Sequence, residues 1–99
     1  MYYAIICEDV ANSLPLRQRA RPAHLERIQQ LVDEGRLLAA GPHPALDTPE
    51  PGEAGFSGSL IIAELDSLEE AVTWAETDPY ADAGVFSRVK VKPYKVVLP

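Results

Sequence analysis

The chain has 99 residues, the usual length of one domain, and leaves no room for a second hydrophobic core. A hydrophobic fraction of 46% and a charged fraction of 24% exclude the polar, core-poor composition of a disordered chain. The formal net charge of -6 repels phosphate backbones and anionic lipid surfaces, so neither nucleic acid nor a membrane is expected as a partner. We therefore expect a single domain over residues 1–99.

The cysteine content and the N-terminus predict the compartment. Cys7 is the only cysteine, so no intramolecular disulfide can form, and a disulfide-stapled secreted design is excluded. Residues 2–6 have neither the basic region nor the cleavage site of a signal peptide. No apolar run approaches the ~20 residues that cross a bilayer. These features favour a soluble, cytoplasmic protein.

The first part of the chain predicts a strand followed by a helix. Residues 2–7 form a short, continuously apolar run, which is typical of a strand buried on both faces. Apolar side chains then recur at helical spacing over residues 25–32, and Gly35 ends the pattern. Because Pro22 lacks an amide hydrogen and suits only a first helical turn, the helix is predicted to begin near residues 19–21.

A proline- and glycine-rich segment follows a short second strand at residues 37–40. Residues 41–58 contain four prolines and four glycines, a composition that predicts a loop without regular structure. Connections of this length inside a compact domain are usually functional or mobile. The segment is therefore a candidate contact region.

The second half of the chain again has the order strand, helix, strand. Residues 60–63 form an apolar third strand. A capping box at residues 67–70 opens a second helix that runs to about Thr77. A short helical turn or loop over residues 78–84 leads to the last strand, predicted over residues 85–97.

This order predicts an α+β fold of the ferredoxin-like βαββαβ kind, with a four-stranded antiparallel sheet and two helices on one face. The first and third strands, which are apolar on both faces, are expected at the centre of the sheet. Two helices cover only one face, so the second apolar face must meet something else. A second copy of the chain is the predicted cover, giving a homodimer, and the long loop is the alternative.

His24 is the residue best placed for chemistry. On a helical wheel it falls beside Ile28 and Leu31, within the stripe that faces the sheet. An isolated histidine on an apolar face is more often a structural group with one satisfied hydrogen bond. Arg17 and Arg21, however, lie two turns and one turn earlier on nearly the same side, if the helix extends that far. Together they are able to hold a small anionic ligand through a carboxylate or phenolate.

An imidazole that works in acid–base chemistry needs a partner that fixes its tautomer, and a carboxylate does so. Asp33 lies on the opposite side of the same helix and is expected in solvent. Asp78 follows the second helix, which in this fold runs beside the first, so contact with His24 is possible. Asp78 before Pro79 also has the pattern of an N-cap with a first-turn proline. From the residues alone capping is the favoured role, and the two roles do not exclude each other.

The other polar candidates carry weaker signals. His24, His43 and Cys7 show no zinc-ligand spacing, so no metal is expected. Cys7 lies within a strand and is expected as a buried thiol rather than a nucleophile. Ser59 is not in a nucleophile-elbow motif, and no phosphate-binding glycine pattern occurs, so no cofactor is expected. Tyr80 is a candidate for lining a pocket that takes a ring.

Several short segments match one known family in order and spacing. They are Arg21-Pro22-Ala23-His24-Leu25, Glu34-Gly35-Arg36-Leu37-Leu38, Ala40-Gly41-Pro42, Ala54-Gly55-Phe56-Ser57-Gly58-Ser59, Trp74-Ala75, Asp78-Pro79-Tyr80, Ala83-Gly84-Val85 and Val91-Lys92-Pro93. The chain resembles the YciI-like family along essentially its whole length. The resemblance implies a dimeric α+β barrel protein with a pocket between helices and sheet, and a His-Asp dyad that carries over to His24 and Asp78. Most members lack an assigned reaction, and the dehydrochlorinase activity of one relative is not transferred.

Two hypotheses of function follow. In the first, a small cofactor-free enzyme uses His24 as general base on a cyclic or carbonyl-bearing small acid, during isomerisation or elimination. Asp78 orients the imidazole, Arg17 or Arg21 holds the anion, and Tyr80 contacts the substrate. In the second, the chain is a non-catalytic ligand-binding or interaction module with a structural His-Asp pair and a partner on the long loop. We favour the enzyme.

Overall fold

In the computed structural model, which describes residues 1–99, a four-stranded sheet carries the helices on one face. The elements in chain order are β1 (Tyr2–Asp9), α1 (Leu14–Asp33), β2 (Leu37–Pro44), β3 (Phe56–Glu64), α2 (Leu68–Glu76), α3 (Pro79–Asp82) and β4 (Phe86–Tyr94). One turn of 3₁₀ helix, Gly52–Ala54, lies between β2 and β3. The predicted α+β fold of the βαββαβ kind is confirmed.

The strand order in the sheet is β2-β3-β1-β4, and every neighbouring pair is antiparallel. The two strands predicted at the centre, β1 and β3, lie there. Ile5 at the middle of β1 is flanked by Ile61 of β3 and by Val91 of β4. The two edges of the sheet are therefore β2 and β4.

The hydrophobic core fills the space between this sheet and the C-terminal half of α1 together with α2. Its buried members are Tyr3, Ile5, Cys7, Ile28, Leu31, Ile61, Ala63, Leu65, Ala71 and Ala75. Helix α1 contributes only Ile28 and Leu31 to this cluster, although the helix begins at Leu14. The first half of α1 is therefore held to the molecule by something other than the core.

The predicted start of α1 near residues 19–21 is wrong, because the helix begins at Leu14. Pro15 occupies the first turn, where a missing amide hydrogen costs nothing. Pro22 lies inside the helix on its exposed side. The carbonyl that it leaves without an amide belongs to Gln18, which is also exposed, so water can satisfy that group.

The predicted loop over residues 41–58 is also too long. Strand β2 continues to Pro44 and β3 begins at Phe56, so irregular structure is confined to residues 45–55 apart from the short 3₁₀ turn. Two prolines fit into β2 because this strand lies at an edge, where one row of amide groups has no ladder partner. The last strand is shorter than predicted, ending at Tyr94.

The sheet face opposite the helices has an apolar centre. Ile6 of β1 pairs with Leu60 of β3, and Ile62 follows on the same face; all three remain partly exposed. The loop after β2 approaches Leu14 of α1 at Gly55, on the helical side of the sheet. None of the helices combines the length and the apolar composition needed to cross a membrane.

Replacing Gly58 should separate the two central strands. A Cβ atom at this position would lie 2.1 Å from the carbonyl oxygen of Cys7, which is backbone of β1 and has no room to move. We expect Gly58→Ala to lower the free energy of unfolding by about 3 kcal/mol or more. Gly41→Ala is the matched control, because no atom lies within 4 Å of its added Cβ. Urea unfolding followed by Trp74 fluorescence measures both, and equal effects would contradict the explanation.

Candidate active site

A cavity of about 500 Å³ lies between residues 14–28 of α1 and the β2–β3 side of the sheet. Its walls are mostly apolar and include Leu14, Leu25, Ile28, Leu37, Phe56 and Ile61. Its polar lining consists of Arg17, Gln18, Arg21, His24, Ser59 and Tyr80. Beneath the helix, β2 contributes Ala40 and Gly41, and a methyl group and a hydrogen atom at these positions leave space. A cavity of this size and composition is typical of a small-molecule site.

His24 and Asp78 are brought together on the wall of this cavity. The Nδ1 atom of His24 lies 2.9 Å from Oδ1 and 3.1 Å from Oδ2 of Asp78. Both residues are buried, with 9% of His24 and 2% of Asp78 exposed. An ionised carboxylate only accepts hydrogen bonds, so Nδ1 carries the proton and donates it. Nε2 is then the nitrogen left to accept a proton from a ligand.

Asp78 makes both of the contacts that the sequence analysis weighed for it. It is the N-cap of α3, where Oδ1 accepts a hydrogen bond of 2.8 Å from the backbone N–H of Tyr80. The same carboxylate accepts from His24. One side chain therefore starts α3 and orients the imidazole on α1.

Tyr80 stacks on the imidazole of His24. The ring centroids are 3.9 Å apart and the planes are inclined by 8°. The other contacts of the phenol ring are an edge-on packing against Phe86 and the guanidinium of Arg17, whose carbon lies 5.0 Å from the ring centroid. Burial raises the pKa of Tyr80, although Arg17 and Arg21 act in the opposite direction. The phenol therefore stays protonated at neutral pH, and the stack fixes the plane of the imidazole.

Arg17 lines the cavity, but its charge is already paired with an acid that the sequence analysis did not select. Its Nε and Nη2 atoms donate to the Asp9 carboxylate at 2.6 Å and 2.9 Å, and Nη2 also donates to the carbonyl of Gly58 at 2.9 Å. The Ser13 hydroxyl donates to the same carboxylate. The sequence offered no signal for this acid, because the burial of Arg17 follows only from the true start of α1 at Leu14. The pairing leaves Arg17 less suited to hold an anion than predicted.

Arg21 lies one turn before His24, lines the cavity and is exposed. It forms none of the ion pairs in the structure, which involve Arg17, His24 and Arg36 as the basic partners. Of the two arginines predicted to hold an anion, Arg21 is the one with its charge available.

The remaining candidates lie apart from this chemistry. Burial raises the pKa of the Cys7 thiol to about 11, and the contact with Ser59 acts in the opposite direction. His43 is exposed on the edge strand β2. No group of three or more His, Cys, Asp or Glu side chains is arranged to hold a metal ion.

Comparison with known proteins places the chain in a family. The YCII-related domain matches residues 1–95. The chain belongs to the YCII-related family. The protein YciI of Escherichia coli O6:H1 is 58% identical over 97 residues, covering 98% of this chain and 99% of that protein. An uncharacterised protein of Haemophilus influenzae is 50% identical with the same coverage of both chains.

A solved structure of similar fold comes from an enzyme. It is the 5-chloro-2-hydroxyhydroquinone dehydrochlorinase of Burkholderia phenoliruptrix, in complex with 2,5-dihydroxybenzoquinone. The two chains superpose with a TM-score of 0.83 at 28% identity, over 96% of this chain and 94% of the other. This YCII-related chain therefore has the fold of a protein that binds a small molecule.

The Cys7 thiol should be unreactive in the folded protein. Because the pKa of Cys7 is raised to about 11, the thiolate is scarce at pH 8 and becomes the main form only above pH 11. We expect a thiol-specific disulfide reagent at pH 8 to leave the native protein unmodified over minutes. In urea the same protein should release one equivalent of chromophore at once. Rapid reaction of the native protein would contradict the burial of Cys7.

Proposed function

We propose that this YCII-related protein is a small cofactor-free enzyme that moves a proton on a cyclic or carbonyl-bearing small acid, in an isomerisation or an elimination. The observation that carries the proposal is the buried hydrogen bond from His24 Nδ1 to Asp78 on the wall of the cavity. It leaves Nε2 of a neutral imidazole as a base beside a small-molecule site. Buried acid–base pairs in clefts are typical of catalytic centres.

The proposed proton transfer starts at a C–H or O–H group next to the substrate carbonyl. Nε2 of His24 takes this proton, and the imidazolium that forms is stabilised by the Asp78 carboxylate. In an isomerisation the proton returns to another atom of the substrate. In an elimination the electron pair expels a leaving group as an anion. Stacking on Tyr80 keeps the ring orientation unchanged through both halves of the transfer.

The charge of the substrate is assigned to Arg21. This side chain lies one turn before His24 on α1 and has no carboxylate partner, whereas Arg17 is paired with Asp9. A guanidinium binds a carboxylate or phenolate through planar, charge-assisted hydrogen bonds. We therefore propose that Arg21 binds the anionic group of the substrate. Tyr80 and Arg17 form the wall behind the imidazole.

The structural neighbour supports the reaction class. Loss of hydrogen chloride from a substrate is an elimination and requires a base, and the bound 2,5-dihydroxybenzoquinone is a small oxygenated ring. The similarity extends over nearly the whole of both chains. We take from it only the class, a proton removal from a small oxygenated molecule, and not the chlorinated substrate.

We further propose that the protein is a homodimer in the cytoplasm. The apolar sheet face with Ile6, Leu60 and Ile62 is not covered by any element of the chain, and a second sheet of the same kind complements it in shape and polarity. Cytoplasmic location is supported by the single cysteine, Cys7, whose buried thiol needs no oxidising compartment.

Conservative variants should separate catalysis from structure. We expect wild-type protein in D₂O to accelerate deuterium exchange of phenylpyruvate or levulinate, which carry a carboxylate and an acidic C–H beside a carbonyl. His24→Gln should slow this exchange by about 10²–10⁴-fold, because the base is lost. Asp78→Asn should also slow it, while its amide oxygen still accepts the N–H of Tyr80 and keeps the cap of α3. Proton NMR measures the exchange.

Arg19→Gln is the control for this experiment, because Arg19 is an exposed residue of α1 that does not line the cavity. This variant should accelerate deuterium exchange of the two compounds as much as wild-type protein does. If wild-type protein is no faster than His24→Gln on either compound while both variants melt earlier, the non-catalytic module is the better description.

A charge on the open sheet face should separate the proposed dimer. Ile62→Lys places an ammonium at the centre of the proposed contact, next to Ala4 of β1. We expect light scattering at micromolar concentration to give twice the chain mass of 10.8 kDa for wild-type protein and the chain mass for this variant. Val72→Lys, at an apolar and more exposed position on α2, should remain dimeric. A wild-type monomer would contradict the proposal.

A further inference from the structure

The hydroxyl group of Tyr80 reaches the cavity, although the ring that carries it is buried. Only 4% of the residue is exposed, because the ring packs against His24, Phe86 and Arg17. No hydrogen bond of good geometry engages the phenol oxygen, Oη. Apart from Ser59 Oγ, every unbonded side-chain N or O atom of a buried or half-buried residue has accessible surface. Since Tyr80 lines the cavity, the accessible surface of Oη faces it.

The protein group that contacts Oη is a donor. The Arg17 guanidinium forms a side-chain contact with this oxygen, and the contact opposes the rise in the pKa of Tyr80 that burial causes. A guanidinium has only N–H groups and accepts no hydrogen bond. Arg17 therefore uses the acceptor side of the phenol oxygen. The proton of the O–H group is left for an acceptor in the cavity.

The phenol and the imidazole are held by one carboxylate. Asp78 accepts hydrogen bonds from Nδ1 of His24 at 2.9 Å and from the backbone N–H of Tyr80 at 2.8 Å. The two rings are stacked with centroids 3.9 Å apart, which keeps Oη within the span of one small molecule from Nε2. A base and a donor fixed in this way need no reorganisation when charge develops on a bound substrate.

We propose that Tyr80 is a catalytic residue whose O–H group binds the carbonyl oxygen of the substrate and stabilises the negative charge that forms there. This inference rests on the proposed function, in which His24 removes a proton from the carbon beside the carbonyl. The electron pair of the broken C–H bond forms a carbon–carbon double bond, and the carbonyl π pair moves to oxygen. When the carbonyl forms again, the pair either takes a proton at carbon or expels the leaving group. The phenol keeps its own proton throughout.

The strength of this hydrogen bond changes during the reaction. A neutral carbonyl oxygen accepts an ordinary hydrogen bond, whereas an enolate oxygen accepts a charge-assisted one that is about twice as strong. The Tyr80 O–H group therefore stabilises the transition state more than the substrate complex. Loss of such a group lowers kcat more than it raises KM.

Tyr80→Phe removes the hydroxyl and keeps the ring that stacks on His24. We expect this variant to exchange deuterium into the better of the two carbonyl acids about 10²-fold more slowly than wild-type protein, the effect of losing one donor at a developing oxyanion. The loss should lie in kcat, with KM and the melting temperature close to wild type. Tyr3→Phe is the matched control, because Tyr3 is a buried tyrosine of β1 that does not line the cavity. It should exchange at the wild-type rate.

A second measurement needs no turnover. 4-Nitrophenol ionises near neutral pH and absorbs visible light strongly only as the phenolate, whose charged oxygen resembles that of an enolate. At a fixed pH just below neutrality, we expect wild-type protein to increase the phenolate absorbance, because the bound oxyanion accepts the Tyr80 O–H. Tyr80→Phe should lose most of this increase, and Tyr3→Phe should keep it.

Two patterns overturn this inference without touching the proposed function. One is wild-type exchange in Tyr80→Phe while His24→Gln is slow. The other is a phenolate absorbance that wild-type protein does not raise, or that Tyr80→Phe raises equally, while exchange still depends on His24. The converse pattern overturns the enzyme: no exchange depends on His24, but the absorbance increase depends on Tyr80, which shows the donor site alone. A lower melting temperature of Tyr80→Phe with an unchanged absorbance increase would assign the hydroxyl a structural role.

Discussion

The buried ion pair of Arg17 with Asp9 fixes where the first half of α1 lies, and the cavity depends on that position. The pair links the helix to the end of β1, and the bond from Arg17 to the Gly58 carbonyl links it to β3. Core packing by α1 begins only at Ile28. A buried ion pair is weak evidence for net stability, but breaking one is costly, so it holds a defined geometry. It thereby ties this part of the helix to the two central strands beside the cavity.

Asp78 couples the chemistry of the cavity to the fold in a second way. Its carboxylate starts α3 and orients the imidazole of His24, while Tyr80, the second residue of α3, stacks on that imidazole. Truncation of His24 to alanine would therefore leave a buried carboxylate with one bond fewer and remove a stacked ring. Loss of stability in such a variant is expected for an enzyme and for a structural pair alike. Only a replacement that keeps volume and polarity separates the two.

The topology was predictable from the sequence, whereas several boundaries were not. Continuous apolar runs mark strands buried on both faces, and these are β1 and β3 at the centre of the sheet. The errors arose where a proline rule was applied without knowledge of what the proline faces. Pro22 lies on the solvent side of α1, and Pro42 lies in a strand at the edge of the sheet. At Pro22 water can bond the carbonyl that loses its amide partner, and at Pro42 the edge strand needs no amide on its open side.

The candidate site was predictable only in part, for a reason that lies in the neighbours of each residue. Helical spacing placed His24 on the buried stripe, and the topology brought Asp78 within its reach. Asp9 was missed because its pairing with Arg17 depends on the true start of α1.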